Sequence, residues 1–185
     1  MNSLKFKVAD PVSDHDDIKK INIEYITWVS NGIANSLGNT VENLVGMSIP
    51  DYVEKMMGKI CGEQPPRGIF YLVEMNNEIA GMVGLRHMRD GVAEIKRLYI
   101  RPAYRGRSLG RSCLRKVLAD ASEFGYQTAL LDTAPFMYSA RRLYASLGFK
   151  ACEPYADVEV PVPLHESWVF LECDLQQASL NQQTE

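Results

Sequence analysis

Apolar and polar positions alternate at the start of the chain, where Leu4, Phe6 and Val8 are separated by Lys5 and Lys7. That pattern predicts a strand over 4–9, stopped by Asp10-Pro11. The period then lengthens. Ile18, Ile21, Tyr25, Trp28 and Val29 recur at helical spacing and predict a helix capped by Asp14 and running to about Ser30. The adjoining "NGIANSLGN" has the composition of a loop. A second helical stretch over about 40–60 carries Val41, Leu44, Val45, Tyr52, Val53, Met56 and Met57. Pro50 either breaks it or opens a new helix at Asp51.

After the turn-rich "CGEQPPRG" the apolar runs shorten and become rich in β-formers. "GIFYLVEM" (68–75) and "IAGMVGLRHM" (79–88) flank Asn76-Asn77-Glu78 and predict a hairpin. Asp90-Gly91 turns the chain into "VAEIKRLYI" (92–100), which Pro102 ends. Leu109, Cys113, Val117, Leu118 and Ala121 mark a helix from about Ser108 to Phe124, closed by Gly125. "TALLDT" (128–133) reads as a buried strand, "SARRLYASLGF" (139–149) as a short helix closed by Gly148, and "SWVFLECDL" (167–175) as the last strand. The order β-α-α-β-β-β-α-β-α-β-β predicts an α/β (α+β) fold, a mixed sheet with helices on both faces. One domain is expected over 1–175, with a polar, disordered tail over 176–185.

Composition adds little except in one place. The chain has 185 residues, 46% of them hydrophobic and 23% charged, with net charge −3. Between Val92 and Gly125, however, eight Lys/Arg face three acids. A local positive field in an acidic chain suits a compact anionic ligand better than a long nucleic acid. The four cysteines (Cys61, Cys113, Cys152, Cys173) form no C-x-x-C pair, and no His stands at metal-ligand spacing, so buried reduced thiols and no metal are expected. The N-terminus has no apolar core of a leader peptide, and no run reaches the roughly 18 apolar residues of a membrane span. These features point to a cytoplasmic protein without nucleic-acid or membrane partners.

The positive segment contains "YIRPAYRGRSLGRSCL", a strand–loop–helix transition. Helix-initial N–H groups lack intrahelical acceptors and carry the positive end of the helix dipole. Gly106 allows a left-handed turn, and Gly110 removes a side chain from the first helical turn. Arg105, Arg107 and Arg111 add charge, the last two spaced as neighbours on one helix face. A P-loop is excluded because no G-K-[ST] occurs, and a dinucleotide fingerprint because no G-x-G-x-x-G occurs. From the loop alone, an anion cradle and a plain helix cap with solvated arginines both remain.

Two motifs at a fixed separation extend the picture. "AEIKRLYIRPAYRGRSLGRSCL" followed by "LLDTAPFMYSARRLYASLGF" resembles the GCN5-related N-acetyltransferase (GNAT) family. The family's phosphate loop, [Q/R]-x-x-G-x-[G/A], corresponds to Arg105, Gly106, Arg107, Ser108, Leu109 and Gly110. Its later helix is matched at Ala140, Leu143, Tyr144, Gly148 and Phe149. Two positions depart from the pattern. Ser108 stands where the loop usually has glycine and is expected to cap the helix. Met137 replaces the usual asparagine, as in a subset with an "LDT-x-P-x-M" version.

The resemblance implies a GNAT fold with a mixed, mostly antiparallel sheet of six to seven strands. It implies an enzyme, an acetyl-CoA-dependent N-acetyltransferase that moves acetyl directly to a primary amine of a small molecule or protein. Acetyl-CoA would be the co-substrate, with its pyrophosphate on the Arg105–Arg111 loop and its pantetheine beside the peptide groups of Leu98 and Ile100. An N–H near Leu98 or Tyr99 would hold the thioester oxygen. Tyr144 takes the family position of the general acid for the CoA sulfur. Glu94 aligns with the glutamate that is the base in histone-type members; strand alternation would set Glu94, Lys96 and Leu98 on one face. The competing function is a catalytically idle acyl-CoA-binding or regulatory module of the same fold. The remaining acceptor-wall candidates are Trp28, Asn31 and Asn35, where core packing explains Trp28 equally well, and Asp157, Glu159, His165 and Glu166 in the Pro-rich connection, which reads more readily as a solvated loop. A homodimer, common among relatives, stays open.

Overall fold

Periodicity and turn residues set the element order of the computed structural model, which describes residues 3–176. The strands are β1 (Leu4–Val8), β2 (Ile69–Met75), β3 (Glu78–Arg89), β4 (Val92–Ile100), β5 (Thr128–Thr133), β6 (Lys150–Ala151) and β7 (Val169–Asp174). The helices are α1 (His15–Leu37), α2 (Val41–Val45), α3 (Ile49–Cys61), α4 (Leu109–Glu123) and α5 (Tyr138–Ser146). Among the described residues one seven-stranded sheet runs in the order β1-β2-β3-β4-β5-β7-β6. Only β4 and β5 pair in parallel; every other neighbouring pair is antiparallel. It is a mixed, mostly antiparallel α/β architecture, as the pattern predicts.

Each face of the sheet is covered by helices. Leu114 and Val117 of α4 are wholly buried against Val83, Leu85 and Ile95, with Leu147 and Phe149 after α5 joining the same core. On the other face Ile18, Ile21 and Ile33 of α1 and Val53 of α3 pack on Leu72, Met82 and Tyr99. Full burial of such an aliphatic side chain contributes about 1.5–3 kcal/mol, which explains why these elements hold their register.

Several local expectations are corrected. Helix α1 does not end near Ser30: "NGIANSL" continues it to Leu37, and Gly38 at φ 66° closes it with its N–H on the Ala34 carbonyl. Burial of Ile33 outweighs the loop-like composition. Gly32 is required there, because a Cβ would stand 2.3 Å from Phe136 Cε2. Asp14 occupies the N-cap position of α1 without a side-chain cap bond. Its carboxylate instead takes Lys7 Nζ at 2.6 Å and the Asp10 N–H at 3.0 Å. Pro50 opens α3 from within its first turn rather than breaking a longer helix, and Ser48 caps that turn through the Asp51 N–H. The expected tail lies, apart from Gln176, outside the described residues.

Two irregularities in β4 open the sheet and redirect its side chains. Its pairing with β5 covers only Val92, Ala93 and Glu94, so the two strands part beyond that point. Its pairing with β3 slips between Gly84↔Lys96 and Met82↔Tyr99, placing two β4 residues opposite one of β3. Arg97, at φ 58°, is the left-handed residue of this bulge.

Candidate active site

The bulge reverses the face order expected for β4. Ala93 and Ile95 face α4, while Glu94 and Lys96 face the opposite side; the extra residue then returns Leu98 and Ile100 to the α4 side. Glu94, Lys96 and Leu98 therefore do not share a face. Strict alternation fails because Arg97 takes an additional position, and the β4 residues up to Arg97 and those after it line two separate spaces.

The first space is a cleft of about 630 Å³ lined by Leu98, Tyr99, Ile100, the 104–111 loop, Phe136, Met137 and α5. Gly106 turns the loop at φ 77°, as its glycine requires. None of the backbone N–H groups from Gly106 to Arg111 donates a hydrogen bond among the described residues; the Ser112 N–H, on the Ser108 carbonyl at 3.1 Å, is the first that does. Gly110 sits in the first turn of α4, where a Cβ would meet only Leu143 Cδ2 at 3.3 Å. These unpaired donors at the positive end of a fifteen-residue helix suit the phosphate groups of an anionic ligand.

The arginines of this loop separate in their surroundings. Arg105 lines the cleft, donates through Nε to the Ile100 carbonyl at 2.9 Å and lies over the Trp28 ring at 5.2 Å. Arg111 lines it too and reaches Ser146 Oγ at 3.0 Å. Arg107 does not share a helix face with Arg111. It precedes the N-cap, its guanidinium lies over the Tyr104 ring at 5.8 Å, and it is outside the cleft lining. Ser108 is also corrected: it occupies the N-cap position at φ 60° and makes no side-chain cap bond. The left-handed backbone explains why the motif favours glycine there and turns the hydroxyl away from the N–H groups a cap would serve.

Tyr144 is the buried residue of α5 and borders the same cleft. Its ring stands 5.9 Å from that of Phe149, its hydroxyl has no hydrogen-bond partner among the described residues, and burial pushes its pKa up. A phenol held neutral at the cleft can direct its O–H at the negative charge that develops on a departing thiolate.

The second space is a cavity of about 110 Å³ under α1, α2 and α3, bounded by Ile95, Lys96 and Arg97 of β4, Asp132 of β5 and Glu159. Glu94 borders neither space. It is wholly buried, accepting from Arg86 Nε at 2.5 Å and from the Tyr155 hydroxyl at 2.8 Å. Lys96 pairs with Glu159, which also lies 3.5 Å from Arg86 and from Arg97. Burial works against the Glu159 carboxylate, yet Lys96 and Arg97 hold its pKa below the usual value. For Lys96 burial prevails over its two carboxylates and the pKa falls. Glu159 thus belongs to a buried ion network rather than a solvated loop.

Asp132, Arg97, Tyr25 and Tyr52 of this cavity are missing from the sequence-based candidates. Burial pushes the Asp132 carboxyl up to about 6, partly opposed by the Trp168 indole N–H donated to Oδ1 at 2.7 Å. Two signals were available: an acid inside the buried run "TALLDT", and adjacent cations inside the strand "VAEIKRLYI". Trp28 borders the cleft rather than this cavity, and Asn31, Asn35, Asp157, His165 and Glu166 border neither.

The model of the Acetyltransferase (GNAT) family matches residues 41–149, more than half of the chain. The chain belongs to this family. An uncharacterized N-acetyltransferase of Schizosaccharomyces pombe is 36% identical over 99 residues, covering 52% of this chain and 61% of that protein. N-acetylaspartate synthetase of Homo sapiens is 31% identical over 88 residues, covering 47% of this chain and 29% of that protein. The chain thus spans less than two thirds of the length of either relative. Solved GNAT structures agree over nearly the whole fold. A GNAT acetyltransferase from Staphylococcus aureus superposes with TM-score 0.67 at 20% identity, covering 94% of this chain and 99% of that one. The PaiA N-acetyltransferase of Thermoplasma acidophilum, solved with coenzyme A, gives 0.65 at 15% identity, covering 93% and 99%. Among the described residues no helix is long and apolar enough to cross a membrane.

Proposed function

We propose that this GNAT protein is an acetyl-CoA-dependent N-acetyltransferase acting on a primary amine. The observation that carries this reading is the run of unpaired N–H groups from Gly106 to Arg111, opening into the cleft that Tyr144 borders. The loop, with Arg105 and Arg111, would receive the pyrophosphate. The part of β4 that β5 leaves unpaired, Leu98 to Ile100, would hold the pantetheine by its peptide groups, and an N–H at Leu98 or Tyr99 the thioester oxygen.

The acceptor enters from the cavity on the other side of the bulge. Its ammonium first gives a proton to a base; at a lysine-like pKa of ~10.4 only about a thousandth is neutral at pH 7. Asp132 faces this cavity with a carboxyl poised near 6, so it is the better placed base, and Glu94 supports the network behind it. The amine nitrogen bonds to the thioester carbonyl carbon, and the carbon–sulfur bond breaks. The departing sulfur takes its proton from the Tyr144 hydroxyl, which is restored from solvent. The nitrogen releases its second proton to leave an amide, free CoA thiol and one net proton. Mixing the protein with acetyl-CoA and a panel of amines should give acceptor-dependent thiol release. Tight acetyl-CoA binding without any such release would favour the idle acyl-CoA-binding module instead.

A further inference from the structure

The fold sets an indole against the proposed base. Strands β5 and β7 run antiparallel with Asp132 opposite Phe170, and opposite residues of such a pair share a face. Trp168 stands at the bend that leads into β7, two positions before Phe170, and its ring reaches Asp132 on the diagonal, a span that aromatic side chains cover. Its Nε1–H donates to Asp132 Oδ1 at 2.7 Å. The indole is itself held: the Trp168 backbone N–H lies on the Leu164 carbonyl at 2.9 Å, Leu164 is buried, and the ring packs on the core beneath α1.

This contact makes the two carboxylate oxygens unequal. An indole N–H donates and cannot accept, so Oδ1 serves as an acceptor whether or not the acid is ionised. Oδ2 has no hydrogen-bond partner among the described residues, and the side chain borders the cavity. A proton arriving at Asp132 therefore finds its place on Oδ2. The surroundings give the indole weight. Burial opposes the carboxylate most, and the charges of Glu94 and Glu159 add to that; the Trp168 hydrogen bond is the largest influence in its favour, ahead of Lys96. Arg97 lines the same cavity with a fixed charge. The phenols within electrostatic reach, Tyr25 of α1, Tyr52 of α3, Tyr144 of α5 and Tyr155 of the connection, are all pushed up from 10.0 by burial and stay neutral where Asp132 titrates.

We propose that Trp168 is a positioning residue of the transfer reaction: it holds the Asp132 carboxylate with Oδ2 towards the cavity, so that Oδ2 takes the proton of the acceptor's ammonium. This rests on the acetyltransferase reading and assigns one further residue to it. In that step an ammonium N–H bond breaks, its electron pair stays on nitrogen, and the proton forms the Oδ2–H bond before passing to solvent. Trp168 touches no reacting atom and acts only through Asp132.

The test is the pH dependence of thiol release from acetyl-CoA, with spermidine, leucine or a lysine peptide as the amine, in wild type and Trp168→Phe. Phenylalanine keeps an aromatic ring on the core and removes the N–H. The acidic limb of kcat/KM, expected at about 6 in the wild type, should move up by about one pH unit, the size of a lost hydrogen bond to a charged group. The variant should then lose about tenfold more activity below the wild-type limb than on the alkaline plateau. A uniform loss at every pH, with the limb unmoved, would make Trp168 purely structural and overturn the proposal. A second measurement leaves position 168 intact. The chain has two tryptophans, so the indole N–H resonance that remains in Trp28→Phe belongs to Trp168. It should shift with pH about the midpoint of the activity limb and lose that shift when Asp132→Asn is added. A resonance that does not titrate, or that titrates without Asp132, overturns the proposal as well. Absence of thiol release from these and every other amine would defeat the acetyltransferase reading and the proposal with it. A limb that stays in place while thiol is released defeats the proposal alone.

Discussion

The two spaces on either side of Arg97 are built from different materials. The cleft that faces α5 presents mainly backbone: free N–H groups over Gly106 to Arg111 and a strand that β5 leaves unpaired. The cavity under α1 presents side chains gathered from α1, α2, α3, β4, β5 and the 159–168 connection. A backbone site recognises phosphate and amide groups that never vary, and it tolerates most substitutions except those that fill it or deny its turns. A side-chain site is open to change at each contributing residue, so it is where acceptor choice resides. Substitutions on the two sides should therefore fail differently.

The largest effect is expected on the cavity side. Asp132→Asn keeps an acceptor for the Trp168 indole but removes the proposed base, and should lower kcat/KM about 10³-fold, within the range for general-base loss. In the wild type the active form is the ionised one, so activity is present above pH about 6 and lost as pH falls through it. Stability has the opposite sign. Because burial raises the folded pKa above its ordinary 3.8, stability increases as pH falls from about 6 towards 3.8, and Asn should raise the melting temperature at pH 7. Glu94→Gln is the contrast within the same region. It leaves Arg86 and Lys96 under-compensated in a buried network and should destabilise by about 3–5 kcal/mol, read by thermal unfolding. Were Glu94→Gln to keep its melting temperature and lose turnover, Glu94 would be the base and the cavity assignment of Asp132 would fall.

Tyr144→Phe tests the cleft where chemistry meets it. The hydroxyl has no partner to abandon among the described residues and the ring stays against Phe149, so acetyl-CoA affinity should hold. Turnover should fall about 10²-fold, the lower part of the general-acid range. Unchanged kcat would remove Tyr144 from the mechanism. Gly110→Glu tests the backbone cradle instead. A Cβ would press on Leu143 Cδ2 at 3.3 Å, which has to give slightly, and the carboxylate would compete for the free N–H groups. Acetyl-CoA Kd measured by calorimetry should rise about tenfold or more, and an unchanged value would dissociate this helix end from the cofactor.

The same contrast explains what could be read in advance. The strands β2 to β5, the helix α4 and the cleft loop follow from local pattern, because each is written in contiguous residues. Glycine spacing alone left a plain cap as an alternative; the second motif around Tyr144 is what the resemblance added. The cavity is not contiguous. Arg97 enters it only through the bulge, which alternation on its own sets aside, and Asp132 counts as chemistry only once Trp168 and the helices close over it. The continuation of α1 past Ser30 was hidden likewise, since Phe136 packing on Gly32 and the burial of Ile33 are tertiary facts.

The smallest predicted effect concerns Ser108, where both materials meet. Its backbone is in the left-handed region at φ 60°, yet its hydroxyl caps nothing. A left-handed L-residue costs about 1–2 kcal/mol, and glycine's greater freedom in the unfolded chain offsets about half of the gain from replacing it. Ser108→Gly should therefore stabilise the protein by about 0.5–1 kcal/mol, visible as a rise of a few degrees in melting temperature. The cradle's N–H groups survive the change, so acetyl-CoA Kd should stay within about threefold, a difference under 1 kcal/mol. A tenfold weakening would mean that the serine hydroxyl itself binds phosphate, and the strained backbone would then be maintained for that contact.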